Sequence, residues 1–180
     1  MKRPGGMKRF LAASLLPVLI LASGCEIRRE HDEAADRAEI HALLNAYGST
    51  LDARDFNGFA GLFAKDGTYV AGNGKGVSGT QAGAMMEQVF ASNALGFREP
   101  NFHVFFNEVI TLEDADHAHS TSMSFYMVPG EDGRPVAAMM ARYHDELVRE
   151  TGKWKFARRR VESLMPPPQP SASGGAQQGR

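Results

Sequence analysis

Residues 35–67 read ADRAEIHALLNAYGSTLDARDFNGFAGLFAKDG, and this stretch decides the fold. Ile40, Leu43, Leu44, Tyr47 and Leu51 recur at the i, i+3, i+4, i+7, i+11 spacing of one helical face, while Glu39, His41, Asn45 and Ser49 fall away from it. The pattern predicts an amphipathic helix with one buried side. Asp55 stands as the N-cap of a second helix carrying Phe56, Phe59, Leu62 and Phe63, and Asp66-Gly67 ends that helix with turn chemistry ahead of a strand at Thr68-Tyr69-Val70. Asp52 and Asp55 therefore fall at the junction of two packed helices, where the rim of a pocket can form.

Downstream, residues 72–79 read GNGKGVSG. They lack both the Gly-Lys-Ser/Thr ending and the GxGxxG spacing of phosphate-binding loops, so a flexible turn is expected. Thr80 is placed to cap a third helix, with Met85, Met86, Val89 and Phe90 as its core stripe. From Asn101 the period changes to two, which predicts strands at 102–112, 118–128, 136–148 and 154–162. The turn-forming segments at 114–116, 129–133 and 151–153 are short, so these strands are antiparallel neighbours. The class is α+β, with three N-terminal helices packed on a curved, mainly antiparallel β-sheet.

Both ends fall outside this core. Lys2, Arg3, Lys8 and Arg9 precede an apolar run at 10–22 that is too short for a mature membrane span and has the flanks of a signal peptide; Met7 is an alternative start. The run ends in Leu21-Ala22-Ser23-Gly24-Cys25, which contains the only cysteine of the chain. This segment resembles a bacterial lipobox. The resemblance implies cleavage before Cys25, acylation of that residue and, with Glu26 following, a lipid anchor in the outer membrane facing the periplasm. A cleaved secretory peptide with a spare thiol, or a simple signal anchor, is the alternative. The organisation is then a signal peptide at 1–24, Cys25 and a charged tether at 25–33, a folded domain at 34–165, and a disordered Pro/Gly/Ser/Gln tail at 166–180.

A single cysteine excludes an intrachain disulfide. Removing the four N-terminal basic residues from 20 Lys/Arg leaves 16 against 21 Asp/Glu, a balance that argues against nucleic acid as a partner. The one basic cluster, Arg158-Arg159-Arg160, reads as a solvated edge or an ion-pairing face.

The order of elements resembles the SnoaL-like branch of the nuclear-transport-factor-2-like superfamily over residues 34–164. The residues that carry the resemblance are LDARDF at 51–56, LFAKDG at 62–67, His103 with Asn107, Asp116-His117-Ala118, Tyr143-His144-Asp145 and Trp154-Lys155-Phe156. It implies a cone-shaped domain whose sheet and helices enclose a pocket, often paired as a homodimer through the outer sheet face. Dehydratases of this family, scytalone dehydratase among them, place an aspartate after the first helix and a histidine on the second strand. Asp52 and His103 match those positions. Leu51, Ala71 and Ser122 stand where scytalone dehydratase has two tyrosines and a second histidine, which implies a different substrate.

The chemistry expected of the pair is acid/base. A carboxylate that orients a histidine prepares it to move a proton next to a carbonyl, while a hydroxyl from Tyr69 or Tyr143 holds the enolate oxygen. Tyr47, Asn107 and Ser122 are further residues expected in the pocket. Sequence parity leaves open whether Tyr143 and Asp145, or His144 and Glu146, face it. Met123, Met127, Met139 and Met140 suggest a soft apolar lining or ordinary core. His117 and His119, beside an acidic turn, read as exposed histidines, and neither a metal nor a cofactor is expected. Three functions follow: a lyase or isomerase for a small hydrophobic carbonyl compound, a non-catalytic binder of a small hydrophobic molecule, or an envelope assembly module.

Overall fold

Helix α1 (Leu19–Asp52) buries the side its spacing predicts, with Ile40, Leu43, Leu44, Tyr47 and Leu51 all in the core. In the computed structural model the backbone is described for residues 19–165 and the side chains for residues 33–165. The expectations for residues 1–18, for acylation of the Cys25 side chain and for 166–180 lie outside the residues so described. Two units divide the chain, 1–34 and 35–180; residues 19–34 of the first are helical, and the second holds the sheet.

After α1 the chain forms α2 (Phe56–Ala60), β1 (Phe63–Val70), β2 (Gly76–Ser78), α3 (Gly79–Ser92), β3 (Phe102–Leu112), β4 (His117–Pro129), β5 (Pro135–Glu150) and β6 (Lys153–Met165). The six strands make one mixed sheet in the order β2-β1-β6-β5-β4-β3, in which β1 and β6 run parallel and every other pair antiparallel. Asp55 caps α2 as predicted, its Oδ1 accepting the Gly58 N–H at 2.8 Å. The helix is shorter than its apolar pattern suggests. Phe63 belongs to β1, and Asp66-Gly67 forms not a helix end but part of an irregularity in β1, where pairing with β6 shifts between Phe63 and Thr68. Residues 76–78, read as turn, pair with β1 as a short edge strand, and Ser78, not Thr80, takes the N-cap position of α3.

The core lies between α1, α2, α3 and the concave face of the sheet, and it is unusually aromatic: Tyr47, Phe59, Phe63, Tyr69, Tyr143, Trp154 and Phe156 are buried together. Helix α3 contributes Ala82, Gly83, Met85, Met86 and Phe90; Val89, expected in its core stripe, is exposed. Gly83 lets α3 approach α2 closely, since a Cβ there would sit 2.2 Å from the Phe56 carbonyl oxygen. Along the strands, burial alternates cleanly in β4, where Ala118, Ser120, Ser122, Ser124, Tyr126 and Val128 all point inward. The start of the domain is pinned to the far end of β5 and β6: Arg149 ion-pairs with Asp36, and the Trp154 N–H donates to Glu39 Oε1 at 2.9 Å.

Candidate active site

Close contact between α1 and β3 builds the site. At Gly48 a Cβ would lie 2.6 Å from Phe105 Cε2 and 3.2 Å from His103 Cβ, so the helix rests on the strand only because this position has no side chain. The last turn of α1 then delivers Asp52 to the start of β3. That strand is an edge of the sheet, and its outward N–H groups have no ladder partner. Asp52 supplies one: Oδ2 accepts the His103 backbone N–H at 3.0 Å, while Oδ1 accepts from His103 Nδ1 at 2.7 Å. One carboxylate thus holds both the main chain and the ring of the same histidine. The His103 side chain is 11% exposed and that of Asp52 24%, which places the pair at the rim of the core and not in its centre.

Around the pair the packing is aromatic. The His103 ring packs against Tyr126 at 4.9 Å, Phe105 at 6.1 Å and Tyr47 at 6.2 Å between centroids. Tyr47 also contacts Phe59, Tyr69 and Tyr143, and its hydroxyl shares a 3.1 Å hydrogen bond with that of Tyr69. Burial pushes the Tyr47 and Tyr143 hydroxyls above the usual tyrosine range and those of Tyr69 and Tyr126 to about 12, so all four stay protonated at neutral pH.

Deeper on the concave face lies a polar set. Ser120 donates to Asp145 Oδ2 at 2.9 Å, and Ser124 Oγ and the Tyr143 hydroxyl are 2.9 Å apart. Between these two serines Ser122 is buried, with no hydrogen-bond partner among the described residues. Arg159 is fully buried and ion-pairs with Asp145, Nε to Oδ1 at 3.1 Å, its guanidinium 4.1 Å from the Tyr47 ring centroid and 4.3 Å from that of Tyr143. Burial raises the Asp145 carboxyl above its usual range, and the Arg159 cation opposes that rise.

Of the residues singled out from sequence, the structure brings Asp52, His103, Tyr47, Tyr69, Tyr143 and Ser122 to this face. It does not bring Asn107. That residue is exposed, has φ 52°, and occupies a bulge between Phe106 and Val109 from which its amide reaches Met123 Sδ at 3.8 Å. Asparagine is one of the few residues that tolerate such a backbone, so its role here is to shape the strand. Of the four methionines, Met123, Met127 and Met140 pair on the outer face with Phe106, Phe102 and Phe125, while Met139 stands opposite the inward Tyr126. Tyr143 and Asp145 face inward, His144 and Glu146 outward.

Arg159 was missed as a buried residue. A one-residue shift in β6 puts Leu147 opposite Phe156 but Glu146 opposite Arg158, so the alternation set by Trp154 and Phe156 reverses after Ala157 and turns the middle arginine inward. The signal for Gly48, a lone glycine inside an amphipathic helix, was present in the sequence. A depression of about 290 Å³ on the outer face, among His119, Thr121, His144, Glu146, Arg158 and Arg160, is remote from the Asp52–His103 pair and bounded by solvated charges. Among the described residues no group of three His, Cys, Asp or Glu side chains is arranged to hold a metal ion.

Solved structures with this architecture are numerous. A scytalone dehydratase candidate from Novosphingobium aromaticivorans is 19% identical with a TM-score of 0.63, over 84% of this chain and 99% of that one. An NTF2-like protein with a cystatin-like fold from the same organism is 21% identical with a TM-score of 0.65, over 84% and 92%. A hexachlorocyclohexane dehydrochlorinase, LinA type 2, is 17% identical with a TM-score of 0.63, over 82% and 98%. No curated protein matches the sequence. At these identities the likeness establishes an NTF2-like fold. The family model for the SnoaL-like domain matches residues 32–160, a span that contains α2, α3, the paired Asp52 and His103, and nearly the whole sheet, and the chain belongs to that family.

Proposed function

We propose that this domain performs acid/base chemistry of the lyase or isomerase type on a small hydrophobic carbonyl compound, with Asp52 and His103 as its working pair. The observation that carries the proposal is the double hold of Asp52 on His103. A carboxylate that accepts from Nδ1 fixes the ring in the tautomer whose Nε2 bears the lone pair, and it stabilises the imidazolium formed when Nε2 takes a proton. The aromatic surroundings of the pair suit an apolar ring system. Dehydratase and dehydrochlorinase, the names carried by two structural neighbours, both describe eliminations, the net removal of a C–H proton and a leaving group. Fold alone does not transfer activity, and the support lies in the pair.

Nitrogen NMR of the ring tests this directly. In the wild type, His103 is expected as the Nδ1–H tautomer; in Asp52→Ala it shifts toward Nε2–H. A wild-type ring already protonated at Nε2 overturns the assignment of the base.

The envelope setting belongs to the same proposal, supported by the lipobox-like segment ending at Cys25. No helix among the described residues is long and apolar enough to cross a membrane. The outer sheet face favours assembly as a homodimer, and the assembly reading with it: Phe102 and Val104 are exposed beside a stacked Phe106–Phe125 pair and Met127. Native mass spectrometry of detergent-extracted protein is expected to give a dimer of chains that begin at Cys25 and carry acyl groups. An unmodified monomer overturns both statements.

A further inference from the structure

The inward face of β4 carries three serines in register, and two of them are accounted for. Ser120 donates to Asp145, and Ser124 is paired with the Tyr143 hydroxyl. Ser122, directly across from Tyr143 and 1% exposed, has no partner among the described residues. On the other side of Tyr143, Arg159 pairs in register with Asp145. Its Nη2 donates to Asp145 Oδ2 at 3.3 Å and its Nε contacts Oδ1 without hydrogen-bond alignment, while Nη1 has no acceptor among the described residues.

A purely structural role explains only part of this. The rings of Tyr47, Tyr143 and Phe156 lie 4.1, 4.3 and 4.5 Å from the guanidinium carbon and stabilise the cation through its faces. The N–H bonds of a guanidinium lie in its plane and radiate from its edge, so aromatic faces leave them unsatisfied. A buried hydroxyl and a buried guanidinium edge, each beside Tyr143 and each without a protein partner, are groups that a polar ligand atom would satisfy. The tyrosines are poorer candidates, because the hydroxyls of Tyr47 and Tyr69 are bonded to each other and that of Tyr143 to Ser124.

We infer that Arg159 Nη1 and Ser122 Oγ form the oxygen-binding end of the site and select a ligand that presents a carbonyl or enolate oxygen. Asp145 already balances the Arg159 charge, so the fitting ligand is a neutral ketone, aldehyde or ester and not a free carboxylate. The inference rests on the concave face being the ligand site, as proposed above, and it reassigns the oxygen-holding role from Tyr69 or Tyr143 to these two donors.

Two bicyclic probes of nearly equal shape, 1-tetralone and its hydrocarbon tetralin, separate the oxygen from the apolar surface. The full-length protein is expected to bind the ketone at least about tenfold more tightly, and Ser122→Ala and Arg159→Lys are each expected to remove most of that preference. Ser122→Ala is also expected to keep or raise the melting temperature, since it deletes a hydroxyl that the protein itself does not satisfy. Equal affinity for the two probes, no measurable binding of 1-tetralone, a preference that survives both substitutions, or a melting temperature lowered by Ser122→Ala each overturns the inference. The acid/base reading fails separately: a ketone preference that persists while the protein does not accelerate α-proton exchange of 1-tetralone leaves the oxygen site standing and removes the base.

Discussion

Arg159→Met is expected to lower the unfolding free energy by about 3–5 kcal/mol near neutral pH, and by clearly less near pH 5. The substitution leaves Asp145 buried without its cation, and the loss is the cost of holding an ionised carboxylate there. Burial already raises the Asp145 carboxyl in the native protein, and Arg159 is the first of the groups opposing that rise. Without it, the folded-state pKa climbs further above the unfolded value. A group raised in this way contributes stability that is fully present below its unfolded pKa and lost as pH rises through the folded one, so the deficit of the variant must grow with pH, by at most about 1.4 kcal/mol per unit. Asp145→Leu combined with Arg159→Met removes both charges and is expected to recover most of the loss, since apolar residues of similar volume replace a buried pair at little cost. Urea denaturation at two pH values checks both statements. A deficit independent of pH, or a double variant no better than the single one, shows that the pair is not the isolated buried couple described here.

The arginine also marks the limit of what the sequence tells. Helix α1 was legible because its apolar spacing is long and regular, and the strands from Phe102 onward because alternation persists between clear turns. Asp52 stood out at the junction after α1, His103 came from the resemblance to SnoaL-like dehydratases, and their contact follows from α1 ending where β3 begins. Bulges hid what was missed. The shift at Ala157 turns Arg159 into the core, and the bulge at Asn107 turns a residue expected inside toward the outer face; no propensity reports either event, because each is set by pairing with a neighbouring strand. Phe63 fits a helical stripe with Phe56 and Phe59 as well as a strand. Parallel pairing with β6, a contact distant in sequence, decides for the strand.

His103→Gln is expected to slow exchange of the α-protons of 1-tetralone in deuterated water by about 10²- to 10⁴-fold relative to the wild type. In the reaction tested, Nε2 of His103 takes the proton, the C–H electron pair forms the enolate double bond, and the negative charge moves to the carbonyl oxygen. Return of a deuteron to carbon regenerates the ketone with one label incorporated, so no other reactant is needed. Glutamine retains the backbone N–H that Asp52 Oδ2 accepts, so the main-chain tie at the edge of β3 persists while the base is lost. The loss of rate can therefore be separated from a loss of structure by the melting temperature. Asp52→Asn should fall between the two, because an amide still accepts the backbone N–H but neither enforces the Nδ1–H tautomer nor stabilises the imidazolium. Ser122→Ala should lower the rate mainly through weaker ketone binding, which excess probe restores, whereas no concentration of probe restores His103→Gln. If wild-type exchange is no faster than in buffer, or if His103→Gln retains it, the double hold on His103 serves only to seal the strand edge, and the domain binds its ligand without transforming it.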